Sequence, residues 1–436
     1  MISTIIAGAA TADITPKDVQ FLFGYPHVER YSTGVHDPLL SSALYLDDGH
    51  ASVLVVTNDI IFVTKASTRR VRQSIARVTG IPPANIMVTA THTHSGPITV
   101  DYINNEADSV VPKADPAYTR LMEDGMVSAG VRAFGAATSA QAGLAVADAA
   151  GIGTNRRDPA GPADLQVPVL MLRTADGRRN IACMLVCCMH PTVLHEDSKL
   201  VSGDFPALAR QYLQKNVLEP DCPVLHHSGA SGNQSPRHIT RGNTFEEATR
   251  LGHVLGRAVA DVIPEIRYTS QLSIENRQSC LDLPPRQFPT VAEAEAKLSR
   301  VVERFKHLQR SGASRQEVRT AECDWFGAEK NVALACAARD GRLQRTYEEC
   351  LPAEIQVVRI GPWRYVAWQG EIFVEYALQV KRRVPDTNII SLANGELQGY
   401  IVTPEAAAEG GYEASNALFG PESGQMLVDR TLEMLA

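Results

Sequence analysis

The chain has 436 residues, of which 44% are hydrophobic and 21% charged, proportions that exclude a disordered or fibrous protein and predict a packed core. A net charge of -7, with Lys and Arg scattered along the chain, offers no basic field for a phosphate backbone, so nucleic acid is not an expected partner. The longest apolar stretches, near residues 51–63 and 181–189, are broken by Asn58 and Asp59 or are too short to cross a bilayer, so no stable membrane insertion is expected.

Residues 1–16 combine a short apolar run with small residues but lack the positive segment of a secretory signal, which makes the cytoplasm the expected location. β-rich runs then alternate with amphipathic stretches: a strand at 51–57, a helix at 65–78 and a strand at 85–89. A helix at 117–134 leads to strands at 141–147, 167–173 and 181–188, a helix at 205–217, a strand at 223–227 and a helix at 245–263. This order predicts an α/β fold of layered mixed β-sheets covered by helices. A Pro-rich stretch at 284–289 opens a charged helical insertion around 290–340, expected as a helical hairpin on the surface. Strands return at 354–360 and 365–369, joined by the turn Gly361-Pro362, and a last strand at 388–393 precedes a Gly- and Glu-rich loop and a final helix. No internal repeat, low-complexity tract or clean linker divides the chain, so residues 1–436 are expected to form a single domain.

The eight cysteines include no C-x-x-C pair and are expected as reduced core residues; Cys187 and Cys188, neighbours in a strand, point to opposite faces. The sharpest chemical signal is the run from Thr91 through His92, His94, Ser95 and Gly96 to Pro97. Two imidazoles leave the end of an apolar strand together, and neutral imidazole is the commonest metal ligand in proteins. Taken alone, the pair also suits a hydrogen-bonded loop. His190, followed by Pro191, stands at another strand exit, and His195 and Asp204 keep that region polar. The loop from Gly229 to Arg237 is rich in small residues that let backbone N–H groups approach a ligand, with Ser235 placed to meet a substrate carbonyl or simply to form a turn. H-E-x-x-H and G-x-S-x-G are both absent, so neither a thermolysin-like protease nor an α/β-hydrolase triad is supported.

In order and across almost its whole length, the chain resembles the N-terminal catalytic domain of the neutral/alkaline ceramidase family. The resemblance is carried by Ala12 to Pro16, Phe23-Gly24-Tyr25, Gly34-Val35-His36-Asp37, His92 to Pro97, Thr154-Asn155-Arg156, His190-Pro191 and Ser202-Gly203-Asp204. It continues through Gly232 to Pro236, Gly370-Glu371, Gly399-Tyr400, Gly411-Tyr412-Glu413 and Leu418 to Pro421. It implies a zinc site (Zn2+) formed by His92, His190, Glu371 and Tyr400, with Ser235, His94, Arg156 and Tyr412 as catalytic residues. Without the resemblance, Glu371 reads as the start of a surface helix and Tyr400 as a core or loop aromatic. Two departures stand out. The family's Gly-Asp before Val-Ser-Pro is replaced by Gly232-Asn233-Gln234-Ser235-Pro236, and no counterpart of the family's C-terminal immunoglobulin-like domain is expected.

The resulting expectation is a zinc-dependent hydrolase cleaving the amide bond of a small soluble acyl compound by metal-activated water with an assisting serine. Its small-molecule partner is an amide or ester. Alternatives of the same chemistry are an esterase or lactonase on a hydroxy-acid or sugar-acid derivative, or a true ceramidase; a non-catalytic binding protein is the alternative from another class. A polar acyl pocket is expected to draw donors from Arg156, His195 or Arg237.

Overall fold

The computed structural model describes residues 4–106 and 108–436. An eight-stranded sheet dominates, in the spatial order Val224–Ser228, Asn180–Cys187, Gln166–Thr174, Thr138–Asp148, Ile6–Asp13, Leu40–Asp47, Ser52–Asn58, Ile86–Ala90. The inner strands pair antiparallel, whereas each outermost strand pairs parallel to its neighbour. Parallel neighbours need a crossover, and here both crossovers contain a helix: Lys65–Thr79 at one end and Asp204–Asn216 at the other.

The sheet curls until its two ends meet. The carbonyl of His226 accepts the Thr57 hydroxyl at 2.6 Å, and Thr89 Oγ1 lies 2.8 Å from His227 Nδ1. Residues 390–393 close the remaining gap, with Ser391 N–H donating to the Ser228 carbonyl and Ala90 N–H to the Leu392 carbonyl. The chain segments that leave these strands, one carrying His92 and one carrying His190, are thereby brought to the same place.

Helices Lys65–Thr79 and Pro116–Gly135 cover one half of the sheet, and Asp204–Asn216 with Phe245–Val262 cover the other, each pair over its own apolar cluster. A four-stranded sheet (Ile274–Leu281, Ala353–Ile360, Trp363–Trp368, Thr387–Ile390) contributes Val358, Ile360, Tyr365 and Ile390 to a third cluster with Leu44, Val55, Leu170 and Val186 of the large sheet. The layered α/β architecture matches the expectation. Local signals set the helix ends: Thr64 caps the first helix by accepting the Ser67 N–H, and Gly80, at φ 77, terminates it in the left-handed region.

Besides several two-residue strands, three eight-residue strands escaped the sequence reading. Ile6–Asp13 is rich in Ala and Gly, poor strand formers, yet it is central because the helix Pro116–Gly135 packs closely over it. A Cβ at Gly8 would sit 2.2 Å from the Ala133 carbonyl oxygen. Leu40–Asp47 is apolar on both faces, and Ile274–Leu281 is a polar edge strand, so neither shows clean alternation.

The insertion is the helical hairpin Val291–Ser311 and Arg315–Arg339, each helix opened by a complete capping box. It is not confined to the surface: Gly327 packs against the backbone of Tyr412, and Lys330 reaches an interior cleft. Among the described residues the cysteines form no disulfide; Cys280, however, is exposed on the edge strand rather than in the core. No helix among the described residues is long and apolar enough to cross a membrane.

Candidate active site

His92 adopts a left-handed backbone, φ 73, which is uncommon for a residue with a Cβ. It is held there by two bonds: its N–H donates to the Ile60 carbonyl, and its Nδ1 lies 2.9 Å from the Ile61 carbonyl. The Nδ1 of His190 lies 2.6 Å from the Ser231 carbonyl. A carbonyl only accepts, so both rings donate from Nδ1 and turn Nε2 to the interior. Glu371 and Tyr400 are partners in a two-residue parallel pairing of Glu371–Ile372 with Tyr400–Ile401, which sets them side by side. Glu371 Oε2 lies 3.0 Å from His190 Nε2 and 3.4 Å from His92 Nε2, and His94 Nε2 is 3.4 Å from His92 Nε2.

A neutral imidazole protonated on Nδ1 cannot donate from Nε2, so the contact of His190 with Glu371 sets a lone pair against a carboxylate oxygen. Burial lowers the His190 imidazole to about 4, reinforced by Arg156, so excess protons do not resolve the conflict near neutrality. Burial likewise holds the His94 ring neutral. An inward-facing set of imidazole nitrogens and a carboxylate is the donor set of a cation site. One nitrogen from each of His92, His94 and His190 lies within 4.8 Å of the others, so the cluster can hold a metal ion.

Residues without an assigned role in the reading of the sequence hold this cluster in place. Arg30 is fully buried and donates from Nη1 to the His94 carbonyl at 2.8 Å and from Nε to the Ser198 carbonyl at 3.0 Å. Tyr25 donates its hydroxyl to the Leu194 carbonyl while its ring packs 5.4 Å from that of His94. Gly24, at φ 126, is required by the approach of His94: a Cβ there would meet His94 Nδ1 at 2.3 Å. Asp37 accepts the Gly203 N–H at 2.9 Å, and Asp204 Oδ2 accepts the N–H groups of Val193 and Leu194, pinning the loop after His190. The motif status of Asp37 and of Ser202-Gly203-Asp204 was the signal that pointed to these positions.

The loop of small residues has a packing explanation. Gly232 donates its N–H to the Ile372 carbonyl at 2.8 Å, and a Cβ at Gly232 would lie 3.0 Å from the Glu371 carbonyl oxygen. Next to it, the Asn233 side chain accepts the Val374 N–H at 3.0 Å and donates to the Glu375 carboxylate at 2.8 Å. An aspartate could not make the second bond, which explains why this chain carries an amide there.

The cleft over the cluster is lined by Gly24, Tyr25, Phe62, His92, His94, Tyr102, Lys330, Glu371, Tyr400 and Tyr412, among others. Arg156 and Ser235 are not part of that lining. Arg156 Nε pairs with Glu413 at 2.7 Å, its Nη2 donates to the Gly232 carbonyl, and its guanidinium carbon lies 5.4 Å from the centre of the Tyr400 ring. Ser235 is buried and its hydroxyl accepts the Arg237 N–H at 3.3 Å, capping the turn Pro236–His238. His195 packs against Tyr25, and Arg237 faces a neighbouring pocket and donates to Cys323 Sγ, so neither lines the cleft.

Two solved structures share this architecture. The neutral ceramidase from Pseudomonas aeruginosa superimposes with a TM-score of 0.76 at 18% identity, over 99% of this chain and 74% of that one. A ceramidase complexed with C2 gives a TM-score of 0.75 at 16% identity, over 98% of this chain and 74% of that one. The family model for the N-terminal part of neutral/alkaline non-lysosomal ceramidase matches residues 6–229, a segment that contains His92, His94 and His190. The chain belongs to the neutral/alkaline non-lysosomal ceramidase family.

Proposed function

We propose that the protein is a zinc-dependent hydrolase that cleaves the amide bond of a small soluble acyl compound. The observation that carries this reading is the convergence of the His92, His94 and His190 nitrogens with the Glu371 carboxylate beneath a cleft that His92, His94 and Glu371 line. Membership of the family supports amide chemistry. The cleft residues run from Phe23 to Asn416, so in this reading the chain acts as one catalytic unit.

In the proposed site His92, His190, Glu371 and Tyr400 hold zinc, which when bound supplies Lewis-acid polarisation of the substrate carbonyl and a more acidic water. His94 is neutral, partly open to the cleft, and has an Nδ1 without a hydrogen-bond partner among the described residues. It is placed to take the proton of the attacking water and deliver it to the leaving nitrogen. Tyr412 lines the cleft and offers its hydroxyl to the oxyanion. Arg156 acts through Tyr400: burial raises that phenol's pKa, Glu371 raises it further, and the guanidinium opposes both. Ser235 assists from the adjoining loop, whose Gln234 carbonyl also lies 3.1 Å from His190 Nδ1.

The space between the lining residues amounts to about 560 Å³, the size of a small-molecule site. The test is catalytic efficiency on short-chain N-acyl compounds, small esters and lactones, and detergent-dispersed ceramide. Preference for the short amides supports the reading. Preference for ceramide restores the family's literal activity, and preference for lactones moves the chemistry to esters.

A further inference from the structure

Five polar residues line the same cleft without a part in the chemistry above: Asn416, which accepts from Asn104 and donates to the Tyr412 carbonyl, and Tyr102, Asn104, Asn105 and Lys330. Lys330 comes from the inserted helix Arg315–Arg339. Tyr102, Asn104 and Asn105 belong to the short 3-10 helix Ile103–Asn105 and its N-cap, which packs against that helix. Among the described residues, the Tyr102 hydroxyl, Asn104 Oδ1 and Asn105 Nδ2 are buried without a hydrogen-bond partner. Tyr102 is 7% exposed and Asn104 5%, so bulk water does not readily stand in for a partner.

The Lys330 ammonium also lacks a direct partner among the described residues. Burial lowers its pKa, and only the longer-range charges of Glu371 and Asp108 favour its protonation. Acids around the outer side of Lys330 are engaged elsewhere. Glu106 pairs with Arg342, Glu329 bonds to His27 and to the Trp325 indole N–H, and Asp108 accepts the N–H groups of His27 and Val110. His rings aside, Lys330 is the cationic side chain in the cleft lining.

Three donors of this kind, an ammonium, a phenol and a carboxamide N–H, match a carboxylate, whose two oxygens accept about four hydrogen bonds. Asn104 Oδ1 adds an acceptor suited to an amide N–H. We propose that Tyr102, Asn105 and Lys330 form a carboxylate-binding subsite beside the imidazole cluster, and that the substrate is a small amide bearing a carboxylate near the scissile bond, with N-acyl amino acids as the simplest class. This assignment rests on the amide-hydrolase reading for its substrate but not for its binding. A ceramide has no anionic group and would leave the ammonium and both other donors unmatched.

The experiment compares N-acetyl-leucine with its decarboxylated counterpart, N-acetyl-isoamylamine, on the metal-loaded protein. Hydrolysis is followed by amine release and binding by calorimetry. The wild type should favour the carboxylate compound at least tenfold in kcat/KM. In Lys330→Gln that ratio should fall at least tenfold through a higher KM for the carboxylate compound, and Lys330→Arg should restore much of it. Tyr102→Phe should lower the same ratio several-fold. A wild-type ratio near one, or an equal loss on both compounds in Lys330→Gln, overturns the subsite. If neither compound is hydrolysed, binding decides: carboxylate-dependent binding that Lys330→Gln abolishes supports the subsite while the amide-hydrolase reading fails, and binding without carboxylate dependence sinks the subsite.

Discussion

Glu371 and Tyr400 stand directly opposite each other in a parallel pairing only two residues long, which sets the two residues side by side with the Glu371 carboxylate against the imidazoles of His92 and His190. Neighbouring strands in a pairing lie about 4.8 Å apart, close enough for both side chains to reach one ion. Arg156 lies against the Tyr400 ring and is ion-paired to buried Glu413. Replacing Arg156 by Met should therefore cost about 3 kcal/mol or more, since it leaves Glu413 with Arg157 alone at 3.0 Å. Urea denaturation of wild type and variant measures this directly; a change below about 1 kcal/mol would remove Arg156 from the structural support of the site.

Gly24→Ala tests how tightly the wall of the cleft is set. The added Cβ would meet the His94 ring at 2.3 Å, and the backbone at φ 126 disfavours any side chain. We expect a loss of about 1–3 kcal/mol in stability together with at least a tenfold fall in turnover, because His94 must move. Normal turnover would mean that the position of His94 is not critical.

Asn233→Asp should destabilise the protein by about 1–3 kcal/mol, since it removes the donor to Glu375 and sets two carboxylates together. Adding Glu375→Gln supplies a donor from the other side and should recover most of the loss. A double variant no better than the single one would show that the Asn233 bond to Glu375 is not what selects the amide.

Acid should destabilise the metal-free protein. Burial lowers the imidazoles of His190 to about 4 and of His226 and His227 to about 3, against an ordinary value of 6.5. The unfolded chain therefore binds these protons more readily, so their contribution is complete above about 6.5 and is lost as pH falls toward the folded values. Asp204, raised by burial to about 6, and Glu396, raised by burial to about 7, act in the opposite sense, between those values and their ordinary 3.8 and 4.5. Each group contributes a slope of at most about 1.4 kcal/mol per pH unit, and the three histidines outnumber the two acids. Thermal unfolding of the chelated protein should show Tm falling from pH 6.5 to 4; a flat or rising Tm would contradict the buried neutral state of these rings.

How much of this was legible in sequence depended on whether the signal was local. The helix expected at 65–78 is Lys65–Thr79, because the apolar spacing runs along it and its start and stop signals, Thr64 and Gly80, sit immediately at its two ends. The Gly361-Pro362 turn joins strands registered from Ile360 to Trp363, as its residues suggest. Ile6–Asp13 was not legible, since its place in the sheet comes from the closeness of a helix rather than from its own side chains. At the site, His92 and His94 announce themselves by spacing. Glu371 and Tyr400 do not: each sits in a two-residue strand, too short for a period, and only the family resemblance brought them forward. Arg30 and Lys330 carried no signal, because their meaning lies in carbonyls and cavities assembled from distant segments.

The central claim, a metal-dependent site built from four distant segments, is tested most directly by metal content of protein purified without chelator. Wild type is expected to carry about one zinc per chain, His94→Gln to retain it, and His190→Ala and Glu371→Gln to lose it together with amide hydrolysis. Wild-type protein free of zinc or a similar transition metal, or a His190→Ala variant that binds metal normally, would contradict the account.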